Sequence, residues 1–408
     1  MHRLRLIVLL ARPAVVILVG MFAAVGLAQA GRPNDGVLLA KALTAVVASL
    51  LFAVAVNDLA DERIDRVNLP TDTRRPLVAG TGTRAEMIIV ASVSAVLALG
   101  ASTALHWPAP LIVAGGLGFT AAYSLRPVRI ADRGVIAPML LPAGYVAVPY
   151  LLGIFAVRGS VDRTDVLLLA GLYAGFIGRI VLKDFRDVRG DALFGKRTFL
   201  VRHGRRATCR LSAAFLVLGV SMLPFVRQPS VALVASYTVY LAVTLGLLWA
   251  LARSTSAFRD SSLIAAIAIL GRGMLVTLYA HFAMLAAHWS LAAASAMIGA
   301  LTVVVTGAAF DVLRTGPVTD AFVPPALAAE GAGDAVLVLE SEDAPIHIVE
   351  RTGSGVALRA PKQGRTWGVS PSADDLNDVL ARLFLFQGAQ NGLVRDLGER
   401  VVGDQGRE

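Results

Sequence analysis

The chain has 408 residues, of which 56% are hydrophobic and 16% charged, against about 25% charged in a typical soluble domain. That composition points to a membrane protein and excludes disordered and collagen-like classes, and the single Cys209 cannot form a disulfide within the chain. The net charge of +9 is unevenly spread: residues 1–317 hold 30 Lys and Arg against 15 Asp and Glu, whereas residues 318–408 hold 8 against 14. The basic excess therefore lies in the apolar part and implies no nucleic-acid partner. The break divides the chain into a transmembrane domain, 1–317, and a small acidic soluble domain, 318–408.

A helix crossing the bilayer needs about 20 mostly apolar residues. Runs of that kind lie near 6–29, 37–57, 85–106, 109–125, 134–157, 163–182, 208–226, 230–252, 263–286 and 289–310. The ninth run contains Gly271-Arg272-Gly273, which predicts an interruption. The expected fold is all-α and polytopic: nine transmembrane helices, or ten if the ninth run crosses unbroken. Lys and Arg concentrate in the loops on the N-terminal side of the spans. By the positive-inside rule the N-terminus and these loops face the cytoplasm of a multi-pass cell-membrane protein. In the acidic domain, Val336–Glu340 and Ile346–Glu350 read as strands, and Asp374–Phe386, led by Ser372, reads as an amphipathic helix. This α+β appendage carries no catalytic constellation and is expected to dock a protein partner.

Seven of the fifteen acids in 1–317 fall in two clusters. One is Asn57-Asp58-Leu-Ala-Asp61-Glu62-Arg-Ile-Asp65, at the inner end of the second span; the other is Lys183-Asp184-Phe-Arg-Asp187-Val-Arg-Gly-Asp191, at the inner end of the sixth. Asn57, Asp61 and Asp65 share one helical face, as do Asp184, Asp187 and Asp191. Like charges at that spacing repel, and at a bilayer boundary they also carry a desolvation cost. Hard divalent cations compensate both: Mg²⁺ binds through one or two carboxylates plus substrate phosphates. Two facing clusters would hold metal between them, and the metal would hold a diphosphate.

With these motifs the sequence resembles the UbiA family of intramembrane prenyltransferases. Asn57, Asp58, Asp61 and Asp65 match the family's N-D-x-x-D-x-x-x-D signature, and Asp184, Asp187 and Asp191 match its second acid signature, followed by Gly195-Lys196-Arg197-Thr198. Arg12-Pro13, Arg75-Pro76-Leu77-Val78-Ala79-Gly80 and Tyr123-Ser124 with Arg126-Pro127 and Arg129 also have family counterparts. The resemblance implies a cytoplasm-facing cavity in which a polyprenyl diphosphate, its tail in the lipid bilayer, ionises with the help of two Mg²⁺ and passes its prenyl group to a lipophilic, commonly aromatic, acceptor.

Asn57, Asp58, Asp61, Asp65, Asp184, Asp187 and Asp191 are the candidate metal ligands. Asp65 or Asp191 is a candidate proton acceptor, and Tyr123 a candidate for stacking on the acceptor or steadying a cation. Lys183, Arg126, Arg129, Arg179, Lys196 and Arg197 are candidate diphosphate contacts, since a guanidinium binds phosphate in bidentate fashion. A membrane terpene cyclase would use the same ionisation without an acceptor. A cation transporter would instead spread its ionisable groups across the bilayer, whereas here they gather on one side. The histidines His106, His281 and His288 read as packed or interfacial, and Arg272, inside an apolar run, calls for a buried partner.

Overall fold

A computed structural model describes residues 7, 10–68, 75–185, 198–223, 226–254, 257–315, 335–341, 344–352 and 355–359. Ten helical rods follow one another: α1 (Pro13–Gln29), α2 (Gly36–Asn68), α3 (Arg84–Ser102), α4 (Pro108–Ser124) and α5 (Ile136–Val157). They continue with α6 (Arg163–Ile180), α7 (Phe199–Ser221), α8 (Val231–Arg253), α9 (Ala257–Ala286) and α10 (Leu291–Thr315). Seven of them (α2, α3, α5, α6, α8, α9 and α10) are long and apolar enough to cross a membrane, and α1 is a shorter apolar helix. The expected interruption in the ninth run is absent: Ala257–Ala286 is one helix through Gly271–Gly273. Helical propensity over a 30-residue apolar stretch outweighs the roughly 1 kcal/mol penalty of each glycine.

The helix ends follow from local chemistry. Thr83 accepts from the Glu86 backbone N–H while Glu86 returns the bond, a capping box that opens α3. Ser230 caps α8 through the Leu233 N–H, and Pro108 starts α4 at the first turn, where its missing N–H costs nothing. The α5 rod is not regular: Ala143–Ala147 form a π-helical turn, a distortion often found beside functional sites.

Tight crossings build the bundle, and glycines permit them. A Cβ on Gly26 of α1 would fall 2.1 Å from the Tyr150 carbonyl oxygen of α5, and one on Gly153 of α5 would fall 2.1 Å from the Ala23 carbonyl oxygen of α1. Between α6 and α7, Gly171, Gly178 and Gly219 play the same part, and Ser212 Oγ donates to the Gly178 carbonyl oxygen. Such small-residue contacts replace the hydrophobic drive that lipid removes. α1 is the central rod; Val19, Phe22, Ala23, Val25 and Leu27 are all buried.

In the acidic domain, β1 (Ala335–Ser341), β2 (Ala344–Thr352) and β3 (Gly355–Arg359) form an antiparallel meander. Val338 pairs with Ile348, and Val349 with Leu358. The two expected strands fall inside β1 and β2, and β3 is an addition. The expected helix Asp374–Phe386 lies outside the described residues.

Gly153→Ala should be among the most damaging single-methyl changes in the bundle, since its Cβ would meet the α1 backbone at 2.1 Å. Forcing α1 and α5 apart costs about 1–3 kcal/mol in a packed core, read as a lowered melting temperature in detergent; an unchanged melting temperature would show that the crossing is loose.

Candidate active site

The site begins where α2 outgrows the membrane. Its 33 residues extend about 50 Å, against a hydrocarbon core of about 30 Å, so the last turns, bearing Asn57 to Asp65, emerge at the boundary. At 3.6 residues per turn, Asp58 and Asp65 lie about 20° apart on the helix, Asn57 and Asp61 about 40° apart, and the two pairs face directions about 70° from each other. The structure gives these pairs different surroundings.

Asp58 is 3% exposed and receives Arg12 Nη2 at 2.6 Å and Arg75 Nη1 at 3.4 Å. Arg75 Nη1 also pairs with Asp65. Arg12 stands at the head of α1 in the left-handed region, φ 47°, so α1, α2 and the Arg75 turn are tied together by two carboxylates and two guanidinium groups. The second Asp58 oxygen, Oδ2, is buried without a hydrogen-bond partner among the described residues.

Asp61 has different partners. It accepts from Asn57 Nδ2 at 2.8 Å and from Arg129 Nη2 at 2.6 Å. Arg129 reaches it from the loop after α4, where it also donates to the Ala60 and Ser124 carbonyl oxygens and to Asp132. Glu62, at the rim, pairs with Arg84 of α3 at 2.5 Å.

The second acid segment starts where α6 tightens into a 3-10 turn, Val181–Lys183, followed by Asp184. Lys183 is exposed and Asp184 half-buried. Tyr123, near the end of α4, joins the two sides: its hydroxyl lies within electrostatic range of Lys183, Asp61 and Asp184, and of Tyr145 from the π-turn of α5. Charges of the first and second acid segments thus both act on the Tyr123 hydroxyl. From there an aromatic row leads inward. Tyr145 stacks on Phe176 at 5.8 Å, and Phe176 meets Phe22 edge-on at 6.1 Å.

That row opens onto a cleft lined by α1, α6, α7, α8 and α9. Phe22, Phe176, Leu216, Ile267 and Leu275 are among its apolar walls, and Arg179 is the one charged residue among the described lining. Arg179 leans on Phe176, 5.7 Å from the ring centroid, and its side chain passes close to Gly271, where an added Cβ would lie 3.4 Å from Cδ.

Of the sequence candidates, Asn57 and Arg129 bond to Asp61, Asp61, Lys183 and Asp184 lie within electrostatic range of Tyr123, and Arg179 lines the apolar cleft. Asp58 and Asp65 are engaged by Arg12 and Arg75. Arg126 is exposed and pairs with no carboxylate among the described residues. Asp187, Asp191, Lys196 and Arg197 lie outside the described residues, and among the described ones no three His, Cys, Asp or Glu side chains form a metal-binding group. Arg272 is exposed, so it lacks the buried setting its apolar run suggested. The ring of His281 is packed between Ser230 Oγ and the Gln228 carbonyl oxygen, as a structural histidine would be.

The family model for UbiA prenyltransferases matches residues 16–270. The chain belongs to the UbiA prenyltransferase family. Curated UbiA-type relatives include the bacteriochlorophyll synthase 34 kDa chain of Chloroflexus aurantiacus, 31% identical over 159 residues, which are 38% of this chain and 49% of that protein. The digeranylgeranylglyceryl phosphate synthase of Natronomonas pharaonis is 29% identical over 228 residues, 55% of this chain and 79% of that one. The UbiA fold itself is matched by a solved digeranylgeranylglyceryl phosphate synthase structure with a TM-score of 0.54 and 19% identity, over 68% of this chain and 98% of the other.

Two side chains of the Asp58–Asp65 network, Arg12 and Arg75, were given no role in the site by the sequence reading. Removing one member of a buried ion pair leaves an uncompensated charge and costs about 3–5 kcal/mol. Arg75→Ala should therefore lower thermal stability by that order, with Arg75→Lys recovering part of it, both measured by unfolding in detergent. Wild-type stability in Arg75→Ala would show the network to be idle.

Proposed function

We propose that this UbiA-family chain is a prenyltransferase that moves a prenyl group from a (poly)prenyl diphosphate to a lipophilic acceptor bearing an aromatic ring. The observation that supports this reading is an apolar cleft whose described lining has Arg179 as its one charged residue and whose wall residue Phe176 stacks on Tyr145, with Asp61, Lys183 and Asp184 all within electrostatic range of the neighbouring Tyr123 hydroxyl. A polar mouth over an apolar chamber suits a substrate with a charged head and a hydrocarbon tail.

The donor set is all oxygen, from an amide and carboxylates, and by its chemistry it fits a hard divalent cation. Asn57, Asp61 and Asp184, with Asp187 and Asp191, would hold two Mg²⁺; when bound, these neutralise negative charge developing on the departing diphosphate. Lys183, Arg129 and Arg179 are close enough to the mouth to take phosphate oxygens, and Lys196 and Arg197 follow in the same segment. Arg129 has the double task of balancing Asp61 in the empty site and turning to phosphate in the loaded one.

The faces of Tyr123, Tyr145 and Phe176 can steady the allylic cation through their ring quadrupoles. The surrounding leucine and isoleucine side chains keep water away from it, which favours transfer over hydrolysis. Asp65 is committed to Arg75, which leaves Asp191 to accept the proton from the acceptor. The distribution of Lys and Arg supports a mouth on the cytoplasmic side, and the unbroken α9 supports ten crossings. Ten crossings bring residues 318–408 to that same side, as an appendage for a protein partner.

In purified protein, Asp61→Ala and Asp184→Ala should each lower Mg²⁺-dependent diphosphate release from a prenyl diphosphate by about 10²–10³-fold, the scale of removing a group that stabilises transition-state charge. Release at the wild-type rate from either variant would overturn the assignment.

A further inference from the structure

Below the second acid segment lies an ion pair that the chemistry above does not use. Arg205, on α7, grips Asp260 in the first turn of α9 with both ends of its fork, Nη1–Oδ1 2.8 Å and Nη2–Oδ2 2.6 Å. Nη1 also donates to the Leu251 carbonyl oxygen in the last turn of α8, at 3.0 Å. The flat face of the same guanidinium lies 5.0 Å from the ring centroid of Phe185. Phe185 directly follows Asp184. One side chain thus binds three helices and closes over the first residue after the metal-ligand candidate.

The backbone is arranged to deliver it. Gly204 breaks α7 with φ 76° and ψ 174°, a conformation that costs residues with a Cβ dearly, and the helix restarts with Arg205 aimed inward. The Asp260 side chain is 10% exposed and that of Arg205 is 32% exposed. A desolvated ion pair is poor evidence of stabilisation for its own sake, since an apolar pair of the same volume would serve as well. What the guanidinium provides that an apolar side chain cannot is a fixed orientation, set by its planar fork of donors. The segment that needs orienting is the 3-10 turn Val181–Lys183, a short element with poor internal hydrogen bonds.

We infer that Arg205 and Asp260 are positioning residues for the second acid segment: the pair, acting through Phe185, sets where Asp184 and Lys183 stand and thereby sets the affinity for Mg²⁺ with diphosphate. This rests on the prenyl-diphosphate reading above. The pair touches no substrate. It acts as an outer shell, and loss of such groups typically lowers metal affinity or activity by about 10–100-fold.

The test measures binding of farnesyl thiolodiphosphate, which does not ionise readily, to full-length protein in detergent as Mg²⁺ is raised, together with the melting temperature. Arg205→Lys keeps the charge but loses the fork and the flat face, Asp260→Asn loses the charge, and Phe185→Leu keeps an apolar contact without the ring. Each should raise the Mg²⁺ concentration for half-maximal binding, by about tenfold or more for the first two. Asp165→Asn is the control. It disturbs the pairing of the fully buried Asp165 with the partly exposed Arg158 near the start of α6, so it should lower the melting temperature and leave the Mg²⁺ midpoint unchanged. If Arg205→Lys and Phe185→Leu bind with the wild-type Mg²⁺ midpoint, the pair is structural only and the inference fails. If wild-type protein itself shows no Mg²⁺-dependent binding of the probe, the prenyl-diphosphate reading fails first and takes the inference with it.

Discussion

Negative charge at the edge of a low-dielectric slab is the constraint around which this molecule is organised. A charged side chain within a bilayer costs about 2.5–3.5 kcal/mol on insertion scales, and acids repeated along one helical face add mutual repulsion. The chain meets this with cations brought from elsewhere in the sequence. Arg12 and Arg75 neutralise Asp58 and Asp65, and Arg129 neutralises Asp61. The two solutions differ in kind. Arg12 and Arg75 tie α1, α2 and a turn together, whereas Arg129 comes from the loop after α4 and also holds Asp132; none of the three is among the described lining of the apolar chamber.

Helix packing makes that chamber possible. Glycines at the α1–α5 and α6–α7 crossings bring backbones within contact distance, so the bundle closes tightly on its outside. The space it leaves is gathered between α1, α6, α7, α8 and α9. The π-turn in α5 then rotates Tyr145 toward Phe176 and Tyr123. An aromatic passage thus joins the charged mouth to the apolar cleft, an arrangement that suits the UbiA chemistry of separating a diphosphate from a hydrocarbon cation.

Much of this was legible in the sequence. Each apolar run became a helix, because runs of that length in a charge-poor chain have no other way to satisfy their backbone in lipid. The acid clusters stood out for the same reason. What the sequence concealed is which acid serves which purpose. The i, i+4, i+8 spacing grouped Asn57, Asp61 and Asp65 on one face, yet Asp65 turns to Arg75 with Asp58, since a carboxylate follows its cation and that cation lies ten residues away in a turn. Arg12 is 46 residues from Asp58, and no local pattern links them. Tyr145 was hidden inside an apolar run, where only the π-turn gives it direction. The glycine pair in α9 looked like a break because glycine signals one locally; tertiary packing of Gly273 against Val305 of α10 and of Gly271 against Arg179 accounts for it instead.

The central claim is that the ends of α2 and α6 share one bound ion pair of metal and diphosphate. The most direct measurement is an experimental structure of the protein with Mg²⁺ and a prenyl thiolodiphosphate. The account predicts metal density between Asp61 and Asp184, the diphosphate against Lys183 with Arg129 turned toward it, and the hydrocarbon tail passing Phe176 into the cleft. Metal held by only one of the two acid segments, or a diphosphate bound on the outer surface of the bundle, would contradict it.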